Sequence, residues 1–463
     1  MKAAASLRHL LGACMLALAG TQACAQDANA GLIKRGEYLA IAGDCIACHT
    51  APGGRTMAGG LSLSTPVGSI VSTNITPSKT HGIGNYTLAQ FTAALRTGIR
   101  ADGAHLYPAM PYTAYALVSD DDIRALYAYF MQAVSPVDAP PPRKTELPFP
   151  FNLRLSMAAW NALFLNNKPF QSDPGKSAEW NRGAYLVRGL AHCSACHSPR
   201  NLLMAEQSSR ELAGGEIGPW FAPNITSDAI SGIGGWNVQE LADYLRQGHA
   251  TGKAQAAGPM VEAIDHSLRH LTEADVRAMA VYLKTVPAQR NDTDTRPAYA
   301  WGSPADDLPV IRGVALPQDR NRMSGAQLYD ANCATCHQAH GQGSSDGGLP
   351  PLFHSTGVGR LNTNNLVMVI LEGIQRNAGA SDTRMPGFAH DLSDQQIATL
   401  AGYLTQRYGN PAARVTVEQV KNLRAGGSSS KLVTLARAGL AVVVIIVFAS
   451  LAALFQRRRR YRR

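Results

Sequence analysis

The sequence predicts a mainly α protein: three small helical domains in tandem, followed by one C-terminal transmembrane helix. Three observations carry that expectation. The motif Cys-x-x-Cys-His occurs three times, starting at Cys45, Cys193 and Cys333. The sequence around the first two recurs as a duplication. Near the end, 438–455 is an uncharged, strongly apolar run closed at once by arginines. With 463 residues, the chain has room for three domains at roughly 100–200 residues each. At 45% hydrophobic and 16% charged, it can bury real cores.

The elements follow in chain order. Lys2 and Arg8, an apolar run over 10–19 and Ala23-Cys24-Ala25 make a charged region, a short apolar core and an A-x-A cleavage site. Residues 1–25 are therefore read as a signal peptide, with maturation at Gln26. Cys14 is a poor lipoprotein site, because almost no apolar segment precedes it. At the other end, a span needs roughly 17–25 apolar residues, and Gly426-Gly427-Ser428-Ser429-Ser430 detaches 438–455 from any fold. The helix is expected over 432–456, with 457–463 a basic tail held in the cytoplasm. Everything between lies outside the cytoplasmic membrane, on the periplasmic side.

The formal charge of +10 suggests an acidic partner until the charges are located. Arg457, Arg458, Arg459, Arg460, Arg462 and Arg463, with Lys2 and Arg8, account for eight of the ten. The body is near neutral, and nucleic-acid binding has no support.

Two cysteines leave with the signal peptide. The other six form three pairs, Cys45 and Cys48, Cys193 and Cys196, Cys333 and Cys336, followed by His49, His197 and His337. Disulfides, half a zinc site or a redox pair would use the cysteines but need no following histidine. Histidine is rare enough here that three coincidences would arise only a few times in about 10⁵, whereas C-x-x-C-H is the attachment signature of c-type haem. The two thiols add across the porphyrin vinyl groups, and the adjacent histidine ligates iron. Three covalent haems c are expected.

The duplication is explicit. Arg35-Gly36, Tyr38 and Leu39 return as Arg182-Gly183, Tyr185 and Leu186; Asn74-Ile75-Thr76 as Asn224-Ile225-Thr226; Gly82-Ile83-Gly84 as Gly232-Ile233-Gly234. One helix leads into each motif and another closes each unit, starting after Ser119, Thr272 and Ser393 as N-caps, with apolar residues at helical spacing. Between them lie Gly- and Pro-rich loops without sustained strand alternation. The domains are 26–135, 152–286 and 321–408. Linkers at 136–151 (proline-rich and stiff), 287–320 and 409–431 separate them.

Each iron needs a ligand opposite its histidine. The offset of the duplication aligns Met110 with Met260, and Met385 stands at the matching place before the last helix. A thioether raises the haem potential and leaves iron six-coordinate, which suits electron transfer. Met131, Met279 and Met368 fall on apolar helical faces and read as packing. His81, His105, His249, His266 and His354 do not recur at the offset, so they read as surface or supporting residues.

With these motifs the chain, from about Leu32 onward, resembles the triheme cytochrome c subunit of membrane-bound dehydrogenases of acetic-acid-type bacteria. The most specific stretches are 72–77, 81–86, 103–112 and 222–226, while 147–151 and the arginine-flanked anchor look most like the subunits of flavin-dependent fructose, gluconate and sorbitol dehydrogenases. The resemblance implies three tandem class I cytochrome c-like domains, with His49, His197 and His337 proximal and Met110, Met260 and Met385 distal. It implies electron flow from an FAD-containing catalytic subunit, with a small third subunit, to ubiquinone. Pro52 and Pro199 match family prolines whose neighbouring carbonyl fixes the imidazole; the third unit offers only Pro350-Pro351. The chain is expected to have no substrate site of its own. A molybdopterin aldehyde dehydrogenase or a quinoprotein alcohol dehydrogenase as partner, a multihaem peroxidase or reductase, and a terminal-oxidase cytochrome subunit are the competing readings.

Overall fold

A computed structural model describes residues 26–344, 349–378, 381–427 and 431–461. The expected signal peptide, three linker serines and the last two arginines lie outside the described residues. The structure is mainly helical, and strand is confined to four two-stranded antiparallel hairpins among the described residues.

Each unit is built on the crossing of an opening and a closing helix. The first crosses 26–42 with Asp120–Gln132, the second Ala178–Tyr185 with Glu273–Leu283, the third Gly325–Asn332 with Asp394–Tyr408. The closing helices begin where expected: Ser119, Thr272 and Ser393 accept hydrogen bonds from the N–H groups of Asp122, Asp275 and Gln396. Those side chains satisfy donors that a helix start leaves unpaired. A glycine makes each crossing close. A Cβ on Gly36 would sit 2.0 Å from the Ala125 carbonyl oxygen, one on Gly183 1.9 Å from that of Ala278, and one on Gly325 2.3 Å from Tyr403 Cβ.

The arginine beside the glycine locks the crossing from outside. Arg35 pairs with Asp122 at 2.6 Å, and Arg182 with Asp275 at 2.7 Å. In the third unit the carboxylate comes from the preceding connector, where Asp307 pairs with Arg407 and accepts from Tyr403.

The first two units face each other about an approximate two-fold axis. Tyr38 donates to Asp275 Oδ2 at 2.6 Å, and Tyr185, its counterpart in the duplication, donates to Asp122 Oδ2 at 2.5 Å. The Thr272 and Ser119 N–H groups donate back to those hydroxyls, each at 3.2 Å. One continuous core runs beneath this face, with Leu39 and Ile123 from one unit and Leu186 and Val276 from the other. The third unit has its own core around Leu328, Met368, Ile397 and Leu400, into which Trp220 of the second unit inserts. Arg376 crosses that boundary, buried, donating to the Gly248 carbonyl at 2.7 Å and to Gln255 at 3.2 Å.

The helix Leu432–Arg460 spans 29 residues, with none of its apolar stretch buried. It is long and apolar enough to cross a membrane. It carries the apolar run read from the sequence and stands apart from every core.

Candidate cofactor sites

Each motif forms one short helical turn: Cys45–His49, Ser194–His197 and Ala334–His337. Two thiols three residues apart on one turn share a side. In the first two units the residue before the first cysteine, Asp44 or His192, takes a positive φ of 50° or 37°, which turns the chain into the motif. No disulfide joins the six motif cysteines. Burial pushes the Cys45, Cys193 and Cys333 thiols up to about 12 and Cys48 up to about 11. A redox dithiol needs the opposite shift.

The histidines share one arrangement. Nδ1 of His49 donates to the Thr73 carbonyl at 2.7 Å, that of His197 to Pro223 at 2.6 Å, and that of His337 to Pro350 at 3.2 Å. Burial holds all three rings below the usual imidazole range, so they are neutral. A neutral ring that donates through Nδ1 keeps an Nε2 lone pair for a metal, with its orientation fixed.

The carbonyls correct one expectation. Pro52 and Pro199 supply none of them; the acceptors lie just before Asn74-Ile75-Thr76 and Asn224-Ile225-Thr226, and Pro350, where the resemblance gave least, serves the third unit. The repeated Asn-Ile-Thr explains the position. Asn74 Oδ1 accepts from the Thr76 N–H and hydroxyl at 2.9 and 2.7 Å, while its Nδ2 donates to Val137. Asn224 does the same with Thr226 and Gln289. The segment after each closing helix thus clamps the loop that holds the histidine.

A single cavity of about 760 Å³ links the second and third sites. Cys193, Cys196, His197 and Met260 line it from one unit, Cys333, Cys336, His337 and Met385 from another, and Cys48 reaches its edge from the first. Met260 lies in the first turn of Pro259–His266; Met385 closes the strand Ser381–Met385, an element not foreseen. Met110 lies outside this cavity, half-buried against Tyr112 and Trp160 and against the shared core on which Cys45 also packs. Met279 and Met368 are fully buried packing, as expected. His81, His105, His249, His266 and His354 do not line the cavity. Asp44, His192 and Arg360 do, and sequence reasoning missed them: only the fold brings them there. Asp44 is pushed up to about 8, first by burial and then by the Glu262 charge.

Paired thiols, an oriented neutral imidazole, a thioether and apolar walls fit a covalently held haem.

Over 96% of its own length and 96% of the relative's, the chain is 47% identical to the fructose dehydrogenase cytochrome subunit of Gluconobacter japonicus. The chain belongs to the family of dehydrogenase cytochrome c subunits. This cytochrome subunit is also 39% identical to the gluconate 2-dehydrogenase cytochrome c subunit of Pantoea cypripedii, over 86% of this chain and 90% of that one. It is 38% identical to the cytochrome c subunit of the quinone alcohol dehydrogenase of Gluconobacter oxydans (strain 621H), over 89% and 86%. A family model described as cytochrome C oxidase, cbb3-type, subunit III matches 320–404, the third unit alone. The cytochrome subunit is thus a haem-bearing electron-transfer component of a dehydrogenase complex.

Proposed function

We propose that the chain holds three haems c, attached at Cys45/Cys48, Cys193/Cys196 and Cys333/Cys336 and ligated by His49/Met110, His197/Met260 and His337/Met385. It receives electrons from an FAD-containing catalytic subunit that oxidises a sugar, polyol or sugar acid, and delivers them to ubiquinone. The helix Leu432–Arg460 anchors the complex in the cytoplasmic membrane, with the arginines inside and the haem units in the periplasm. The observation that carries this reading is the threefold recurrence of a half-buried histidine whose Nδ1 is held by a backbone carbonyl beside two thiols.

Bound haem supplies one-electron chemistry at a potential set by its ligands and surroundings. The chain's own residues do the rest. The carbonyls of Thr73, Pro223 and Pro350 fix the imidazole planes, and the Asn-Ile-Thr clamps hold the first two of those carbonyls in place. Met110, Met260 and Met385 would supply the second ligand to each haem and so exclude water and exogenous ligands from it. The shared cavity keeps the second and third sites adjacent, and the tyrosine–carboxylate contacts fix the first site relative to the second. The sugar-type partner is favoured because the 47% and 39% relatives are named for fructose and gluconate dehydrogenases.

Detergent extraction of the native complex tests this. Three haems per chain by pyridine haemochrome assay, and a flavin-bearing partner that reduces them on addition of a ketose, polyol or sugar acid, are expected. A partner bearing molybdenum or a quinone cofactor would refute the flavin assignment, and fewer than three haems would refute the site assignment.

A further inference from the structure

The cavity between the second and third units contains a charge with no counterpart. Its described lining includes three arginines, Arg360, Arg376 and Arg384, and only two carboxylates, Asp44 and Glu262. Arg376 is engaged with Gly248 and Gln255, and Arg384 also has a partner. Asp44 belongs to the first unit, where burial and the Glu262 charge both disfavour its ionised form. Arg360 makes no side-chain hydrogen bond or ion pair with any described residue. Its charge nevertheless reaches His197 and Tyr244 of the second unit, and Asp294 of the connector acts on it without pairing.

Its backbone leaves it little freedom to turn away. Arg360 follows the short helix Thr356–Gly359, which is wedged against the second unit and its connector. The Thr356 N–H donates to the Lys253 carbonyl at 2.7 Å. A Cβ on Gly359 would lie 1.7 Å from the Ala298 carbonyl oxygen, and Val358 is buried. Arg360 is half-buried, and a guanidinium even partly withdrawn from water without an anion is costly. A planar donor fork is suited to carboxylate.

A haem brings two propionate carboxylates into such a cavity. We propose that Arg360, supplied by the third unit, is the positioning residue that binds a propionate of the haem attached at Cys193 and Cys196 in the second unit. It thereby ties the potential of one haem to the seating of the neighbouring domain. The inference rests on the haem assignment above. The cation raises the potential of its haem, because the reduced form carries one positive charge fewer and tolerates a nearby guanidinium better.

The test uses the full-length detergent-solubilised holoprotein. Haem content is measured first on the wild type, since fewer than three haems would refute the site assignment and not the role of Arg360. Redox titrations then compare Arg360→Gln and Arg360→Lys with wild type, each also in a Met260→His background that marks the second haem by its lowered potential. Arg360→Gln should shift the oxidised-to-reduced equilibrium of the second haem at least tenfold toward the oxidised form, which is 59 mV for one electron. Arg360→Lys should stay within about threefold while shifting the propionate bending bands in resonance Raman spectra. Three unmoved midpoints in Arg360→Gln, or a shift confined to the third haem, would overturn the proposal. Should Arg360→Gln not accumulate, unchanged propionate bands in Arg360→Lys would overturn it equally.

Discussion

The two tyrosine–carboxylate contacts between the first and second units look alike but should not cost the same to remove. In Tyr38→Phe, Asp275 keeps both oxygens occupied, because Arg182 Nε donates to Oδ1 at 2.8 Å and Nη2 to Oδ2 at 2.7 Å. In Tyr185→Phe, Arg35 still serves Asp122 Oδ1, but Oδ2 loses its only hydrogen-bond partner among the described residues, on a residue 2% exposed. A hydrogen bond to a charged group contributes about 1.5–3 kcal/mol, and a buried orphaned acceptor costs more than a redundant one. Tyr185→Phe should therefore destabilise the interface by about 2 kcal/mol and Tyr38→Phe by about 1 kcal/mol. Those values correspond to roughly 30-fold and fivefold in the opening equilibrium. Hydrogen exchange reads this directly: the Ser119 and Thr272 amides report the two contacts, and those around Ile123 and Val276 report the shared core. Equal acceleration in the two variants, or none in Tyr185→Phe, would refute the argument from unequal satisfaction.

Replacing Met110, Met260 or Met385 singly by alanine should each remove about one third of the methionine-to-ferric-haem charge-transfer absorbance, as expected of three equivalent chromophores; unchanged absorbance in any one would exclude that residue as a ligand. Gly183→Ala places a methyl carbon 1.9 Å from a backbone oxygen, so it should cost at least the roughly 1–3 kcal/mol typical of overpacking, seen as a lowered unfolding midpoint and haem yield. Burial works against the Asp275 charge, yet the hydrogen bonds from Arg182 and Tyr38 outweigh it and hold the carboxyl below its usual 3.8. Its contribution is present above pH 3.8 and is lost as the pH falls through the still lower folded value. Acid unfolding in that range should be shallower in Asp275→Asn than in the wild type, and identical curves would refute the assignment.

Chemistry was more legible in the sequence than architecture. A C-x-x-C-H turn is complete within five residues, so its thiols and imidazole could be named outright. Ser119, Thr272 and Ser393 cap their helices through contacts three residues away, and each was legible for the same reason. The carbonyl that orients each histidine was not, because Thr73, Pro223 and Pro350 lie 13 to 26 residues further on. Its nearest signal was the repeated Asn-Ile-Thr, noticed as a duplication without its clamping role. Tyr38 and Tyr185 were likewise visible only as a repeat; that each reaches across to the other unit is a tertiary fact. Arg360 carried no signal, since nothing around it marks a residue that serves its neighbour's site.

The reciprocity of Tyr38 with Asp275 and of Tyr185 with Asp122 also bears on descent. A surface that matches its own copy about a two-fold axis is the signature of a homodimer. The first two units present such a surface to each other within one polypeptide. In a homodimer, any change at that tyrosine strikes both halves at once; within one polypeptide each half can vary alone. Residues at matching positions can now diverge, and Asp44 and His192, an acid and an imidazole at the same point before the first thiol, have already done so.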